Sequence, residues 1–372
     1  MNILVAIDSF KGSATSFELN QSVALGWQAV HSTDQLINVP IADGGEGTAQ
    51  ALFYSLGGKW QKFSGGDLLF RKHESRYLIT QWQGKKIAVI ESAEVIGIDL
   101  LEQATDQTIR LASSFALGEI IKDALAQRVD EIIVTLGGSG CSDGGLGLLQ
   151  SLGAKLEGVK DGNPLLTTEK VNLQASKAHF SHTKLRIAAD VTSPYTGEKG
   201  AAKLFGKQKG ASPETIDFLE KQAKKLAKQW SKEYQIDLEK IPGSGAAGGI
   251  GGALFLLGAQ MINGFELISQ MIELEAKVKQ ADWIVTGEGK IDQQTIHGKV
   301  PYGVAMLAKK YEKPIIAFCG SRQPDLGELT NYLPAVFSIQ LGPIRLREAM
   351  EHERTMENIA ILAGNICQLI RR

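Results

Sequence analysis

The chain has 372 residues, about two and a half typical domain lengths, which predicts two domains. Its 40 Lys and Arg against 41 Asp and Glu leave a net charge of −1, which argues against a general nucleic-acid binder. At 43% hydrophobic and 22% charged residues it is globular, and 41 glycines beside only 10 prolines exclude a linker or collagen-like repeat.

In chain order, MNILVAIDSF opens without a basic segment and reads as a buried strand over residues 3–7 rather than a signal peptide. A cytoplasmic protein is therefore expected. Thr15-Ser16-Phe17-Glu18 is a capping box, and Leu19, Val23, Trp27 and Val30 recur at the spacing of one helix face. Further strands are expected at residues 36–41, 86–90, 131–136, 185–189, 283–286 and 314–319. Gly57 and Gly153 stand where left-handed helix caps are wanted, and Pro301 fits a first helical turn. Residues 63–82 interrupt this pattern. The stretch YLITQWQGKKIAVIES reads as a hairpin and marks entry into a second domain. Residues 218–240 form a Lys- and Glu-rich helix whose interleaved acids favour a solvated face over a basic interaction surface. Residues 243–265 are uncharged and long enough to span a membrane, but eight glycines there predict a buried turn and helix instead. Met356, Ile359, Ala363, Ile366 and Leu369 mark a core-packing helix. Alternation of this kind predicts an α/β architecture with a largely parallel sheet. Cys141, Cys319 and Cys367 form no CxxC pair, so neither a disulfide scaffold nor a zinc ribbon is expected.

The chemistry is concentrated where predicted strands end. Asp8, Asp43, Glu91 and Asp190 each follow an apolar run, and the glycine segments at 137–147 and 287–289 follow two more. Ligands of open α/β sheets bind outside the carboxyl ends of strands, so these segments are expected to converge. In LGGSGCSDGGLG, the backbone of Gly137, Gly138, Gly144 and Gly145 can cradle phosphate, Ser139 and Ser142 can add hydroxyls, and Asp143 can reach magnesium through water. The competing reading is a tight turn that needs glycine only for its backbone angles. No Walker loop occurs. Gly243, Gly245 and Gly248 fit G-x-G-x-x-G, but Pro242 and a charged segment precede them instead of a strand. That motif reads as a second backbone-exposing turn or as close helix packing. A carboxylate such as Asp190 can take a proton from a hydroxyl or hold magnesium, or serve only its turn. Lys11, Lys207, Lys209, Lys290 and Lys299 are flanked by glycine turns and are the cations best placed for a phosphate. His297 is the histidine best placed to face a site, whereas Cys141 reads as a small filler of the glycine loop.

DSFKGS at 8–13, PIADGGEGT at 40–48, GGSGCSDGGLG at 137–147, AADVTSPYTGEKGAAKLFGKQKGA at 188–211, GSGAAGGIGGAL at 243–254 and TGEGKIDQQTIHGKVPYGVA at 286–305 together resemble the type 1 glycerate kinase family. The resemblance spans nearly the whole chain. It implies two α/β domains: a flavodoxin-like one with a parallel sheet, from residues 1–65 and 285–372, and an inserted mixed α/β one from 66–284. The active site is expected in the cleft between them. It also implies ATP-dependent phosphorylation of D-glycerate, with magnesium, to 2-phosphoglycerate in preference to 3-phosphoglycerate. On that reading Asp190 is the base, with Lys11 and Lys290 as catalytic cations. Asp8, Ser9, Ser13 and Asp43 bind substrate. Gly137, Gly138, Ser139, Asp143, Gly144, Gly145, Gly245 and Gly248 hold the nucleotide, and Asp143 and Glu288 hold the metal. A monomer or homodimer with no nucleic-acid or membrane partner is expected. A dinucleotide-dependent oxidoreductase of a hydroxy acid and a non-catalytic sensor of phosphorylated acids are the alternatives.

Overall fold

A computed structural model describes residues 1–371. In chain order its strands are β1 (Asn2–Ile7), β2 (Gln35–Asn38), β3 (Lys59–Gly66), β4 (Lys72–Trp82), β5 (Lys85–Glu91), β6 (Glu131–Thr135), β7 (Lys155–Glu157), β8 (Lys170–Asn172), β9 (Lys184–Ala188), β10 (Gln260–Ile262), β11 (Trp283–Ile291), β12 (Ile315–Arg322) and β13 (Val336–Ser338). They fall into two compact units. The first comprises Met1–Asp43, Gln50–Gly57 and the chain from Asn263 onward, and the second comprises Gly44–Ala49 and Gly58–Ile262.

The sheet of the first unit runs β13-β12-β11-β1-β2, with every pair parallel. Counted along this unit alone, the order is 2-1-3-4-5, the flavodoxin-like arrangement with its switch point between β1 and β11. β1 is apolar from Ile3 to Ile7 because both faces are covered, as a central parallel strand requires. The helix Ser16–Val30 carries the expected capping box between Thr15 and Glu18. It packs Leu19, Val23 and Trp27 into a core shared with Ile359, Ala363 and Ile366 of the helix His352–Ile370. The two helices cross closely because Gly26 has no side chain; a Cβ there would lie 1.9 Å from the Ala360 carbonyl oxygen.

The second unit holds a mixed sheet, β10-β9-β6-β5-β4-β3, parallel from β10 to β5 and antiparallel through β4 and β3. The expected hairpin is β4–β5, turned at Gln83 (φ 50°) and Gly84 (φ 73°), the two left-handed residues that a tight right-twisted hairpin needs. The helix Pro213–Tyr234 buries Leu219, Ala223, Leu226 and Trp230, which leaves most of its lysines on a solvated face.

Domain boundaries differ from those expected at 65/66 and 284/285. β3 pairs with β4 along its whole length, so residues 59–65 belong with the second sheet. β11 pairs with β1 from Trp283 onward, and the helices Gly264–Met271 and Leu274–Gln280 also fall in the first unit. The expected strand at 36–41 stops at Asn38, two residues before Pro40, which has no N–H for a ladder. The strand at 283–286 instead runs on to Ile291, because Lys290 and Ile291 stay in register with Ser321 and Arg322 of β12. No described helix is long and apolar enough to cross a membrane.

Candidate functional site

In the first unit, the carboxyl ends of β1 and β11 open onto a cavity of about 410 Å³. Its polar lining includes Asp8, Ser9, Lys11, Ser13, Asp43, Glu288, Lys290 and Lys299; Ile339, Leu346, Ala349 and Met350 supply an apolar wall. The Asp8 N–H bonds the Gly287 carbonyl at 2.9 Å, which fixes the switch point at which both acids emerge. Burial pushes the Asp8 carboxyl well above the usual range, and neighbouring Asp43 and Glu288 add to the rise against the Ser9 N–H and Lys11. Glu288 is buried and already partnered: Thr295 Oγ1 donates to it at 2.6 Å and Lys299 Nζ at 2.8 Å. Its carboxyl is nonetheless raised, by burial first and by Asp43 in addition. Burial opposes the charge on Lys299, but Glu288, Asp292 and Asp43 override it and lift the ammonium above the ordinary lysine value. Ser13 Oγ lies 2.6 Å from Thr355 Oγ1, and Lys290 is exposed and paired with Asp292 at 3.1 Å.

In the second unit a cavity of about 290 Å³ is lined by Gly137, Gly138, Ser139, Lys209, Ala247 and Gly248, with Ile98, Val191 and Phe205 as apolar neighbours. Ala247 is held at φ 52°, ψ 41°, a left-handed conformation rare outside glycine, and Gly248 and Gly249 continue it. The two glycine segments pack backbone on backbone. Gly144 N donates to Gly248 O at 3.0 Å, and a Cβ on Gly248 would meet Cys141 O at 2.3 Å. Lys209 is 3% exposed, and its Nζ donates to Ser139 Oγ at 2.8 Å and to Cys141 O at 2.6 Å.

Residues 3–371 match the sequence model of the glycerate kinase family. The chain belongs to that family. It is 36% identical to a glycerate 2-kinase of Escherichia coli (strain K12), over 98% of this chain and 97% of that one. A glycerate kinase of Halalkalibacterium halodurans is likewise 36% identical, over 97% of this chain and 98% of its own length. A crystal structure of a protein assigned as glycerate kinase 2 from Salmonella typhimurium LT2 superposes with a TM-score of 0.85 at 34% identity, covering 100% of this chain and 98% of that one.

Within this family member the expected residues sort into those brought together and those turned to other work. Asp8, Ser9, Lys11, Ser13, Asp43, Glu288 and Lys290 share the first cavity, and Gly137, Gly138, Ser139 and Gly248 share the second. Asp143 lines neither. It is fully buried, and its carboxylate accepts from Ser114 N at 2.7 Å, Ser114 Oγ at 2.8 Å, Ser113 Oγ at 3.3 Å, Gly145 N at 3.0 Å and Gly147 N at 3.1 Å. Four of these donors converge on Oδ2 and one on Oδ1, so Asp143 anchors the glycine loop. The N–H groups of Gly144 and Gly145 are likewise spent, on Gly248 O and Asp143, so neither is available to a phosphate. Gly245 donates to Ser193 O at 2.9 Å and packs on Pro194, where a Cβ would lie 2.1 Å from the carbonyl; it serves packing. No strand leads into residues 243–248, so the dinucleotide-fold alternative lacks its strand–turn–helix frame. Asp190 is half-buried just beyond β9, and its neighbour Val191 lines the second cavity.

Among the described residues no three His, Cys, Asp or Glu side chains converge to hold a metal by themselves. Asp8 and Asp43 still fit a magnesium ion, which takes one or two carboxylates and completes its shell with phosphate and water. In the sequence, Lys209 and Lys299 stand out only as lysines near glycine turns, and Thr355 has no site role. Thr355 carries no local signal, because it reaches the cavity from a helix more than 300 residues away in sequence.

Proposed function

We propose that the protein is a cytoplasmic type 1 glycerate kinase that phosphorylates D-glycerate with ATP and magnesium, giving 2-phosphoglycerate in organic acid catabolism. The observation that carries this reading is the cavity at the β1–β11 switch point, where three acids and three lysines face a space for a small charged ligand. Lys11, Lys290 and Lys299 would bind the glycerate carboxylate and neutralise the transferred phosphoryl group, and Ser9 and Ser13 would orient the hydroxyls. Asp8 and Asp43 would hold magnesium, which bound to the nucleotide neutralises phosphate charge. Burial and mutual repulsion make that carboxylate pair costly without a cation.

The triphosphate chain of ATP is assigned to the second unit's cavity, along Gly137, Gly138, Ser139 and Gly248. Asp190 is assigned as the base that takes the proton of the attacking hydroxyl as the phosphorus–oxygen bond to ADP breaks. Positioning and charge stabilisation then supply most of the rate. The deciding experiment is ADP release from ATP and magnesium with and without D-glycerate, followed by phosphorus NMR of the product. Glycerate-dependent release with a 2-phosphoglycerate spectrum is expected. Release that ignores glycerate and related hydroxy acids defeats the reading. Replacing Asp190 by Asn is expected to lower turnover by at least about 100-fold with folding intact; near-normal turnover takes Asp190 out of the mechanism.

A further inference from the structure

Lys209 is a buried ammonium with no carboxylate within ion-pairing distance among the described residues. Buried charges are normally paired, since an uncompensated one is expensive. Asp143, the acid that acts on it through space, is itself held by Ser113, Ser114, Gly145 and Gly147. An ammonium has three donors. Two of them go to Ser139 Oγ and Cys141 O, which leaves one. Beside it, the backbone N–H groups of Gly137, Gly138 and Ser139 make no hydrogen bond within the described protein. A cavity that offers several unspent donors and one unpaired positive charge calls for a multiply charged oxyanion.

We propose that Lys209 is a phosphate-binding residue of this site, its third donor and the N–H groups of Gly137–Ser139 together receiving the oxygens of the nucleotide's phosphate chain. Only the choice of nucleotide as ligand rests on the kinase reading. Burial also depresses Lys209 to about 8, with Cys141 and Asp143 partly offsetting it. Those two are the titratable groups facing it from the glycine loop; Lys207 beside it is exposed. Phosphate binding should therefore demand the protonated lysine and fade as pH rises past that value.

The test is calorimetric titration of the full chain with metal-free ATP, already mostly in its fully ionised form at the lower pH used, at pH 7.5 and 9.5, with adenosine as control. Wild-type affinity for ATP is expected to fall by about tenfold or more between the two, because most Lys209 has lost its proton at pH 9.5. Lys209→Met should bind ATP at least about tenfold more weakly at pH 7.5, lose the pH dependence and bind adenosine as the wild type does. ATP binding unchanged in Lys209→Met, or a flat wild-type profile, overturns the proposal. Should Lys209→Met fail to fold, Lys209→Gln is titrated in its place, with the same expected loss and the same overturning result. Glycerate-dependent ADP release from the wild type judges the kinase reading separately: turnover retained in Lys209→Met sinks the lysine assignment and leaves the kinase standing.

Discussion

The cavities of the two units are lined by opposite means. In the first, side chains do the work: Asp8, Asp43, Glu288, Lys11, Lys290 and Lys299 project from strand ends and the segments that follow them. In the second, Gly137, Gly138 and Gly248 bring bare backbone to the lining beside Ser139 and Gln208, and among the described residues Lys209 is the one charged side chain there. A side-chain site is damaged by truncation, and a backbone site by the addition of a single carbon. Substitutions can therefore separate chemistry from architecture.

The largest effect is expected at Asp8. Asp8→Asn should cut turnover at least about 100-fold, since it removes a carboxylate proposed to hold the magnesium. Its effect on folding should have the opposite sign. The folded carboxyl binds its proton more tightly than the unfolded one does, so wild-type stability falls as pH rises through the raised value. Thermal unfolding at pH 5 and 8 should show Asp8→Asn gaining on the wild type at the higher pH; a uniform loss would mean that Asp8 is a structural carboxylate.

Next comes a paired glycine test. Gly84 and Gly248 share φ 73°, but a Cβ at Gly84 meets nothing within 4 Å, whereas at Gly248 it meets Cys141 O at 2.3 Å. Gly84→Ala should cost about 1 kcal/mol, the backbone strain alone. Gly248→Ala should cost about 3 kcal/mol or more, because overpacking against backbone is added. Equal melting temperatures for the two variants would contradict the backbone-on-backbone packing of the glycine segments.

Glu91 joins the two modes, a strand-end carboxylate that accepts from the N–H groups of Gly47 at 3.1 Å and Ala49 at 2.7 Å. Burial raises it to about 7 despite those bonds. Stability should then decline between about pH 4.5 and 7, by about 3 kcal/mol in all, and Glu91→Gln should remove that slope. Chemical denaturation at several pH values checks it. The smallest effect is expected from Lys290→Ala. Its exposed pair with Asp292 should contribute less than about 0.5 kcal/mol, so any loss of turnover reports on the reaction alone.

Much of the fold could be read directly from the residues. The Thr15–Glu18 cap, the β4–β5 hairpin and the apolar runs of β1, β5, β6 and β9 are local patterns, and local sterics and hydrogen bonding decide them. The strand-end rule also foresaw the meeting of Asp8 with Glu288, because parallel strands in one sheet deliver their ends to one edge. Short edge strands such as β10 and β13 were missed, having three residues each and no period to detect.

Residue type at strand ends was thus determined by the sequence alone, together with the family and the positions where glycine bares the backbone. Tertiary structure decided what each polar group is left free to do. Asp143 and the N–H of Gly144 carry the same local signal as Gly137–Ser139, yet Asp143 is bound by Ser113 and Ser114 and the Gly144 N–H by Gly248, partners that no spacing rule connects to them. Lys209 resembles any lysine near a turn until burial strips its water with no carboxylate in ion-pairing distance among the described residues. A hydrogen-bonding group can be spent only once, and which partner claims it is settled by packing between segments far apart in the chain.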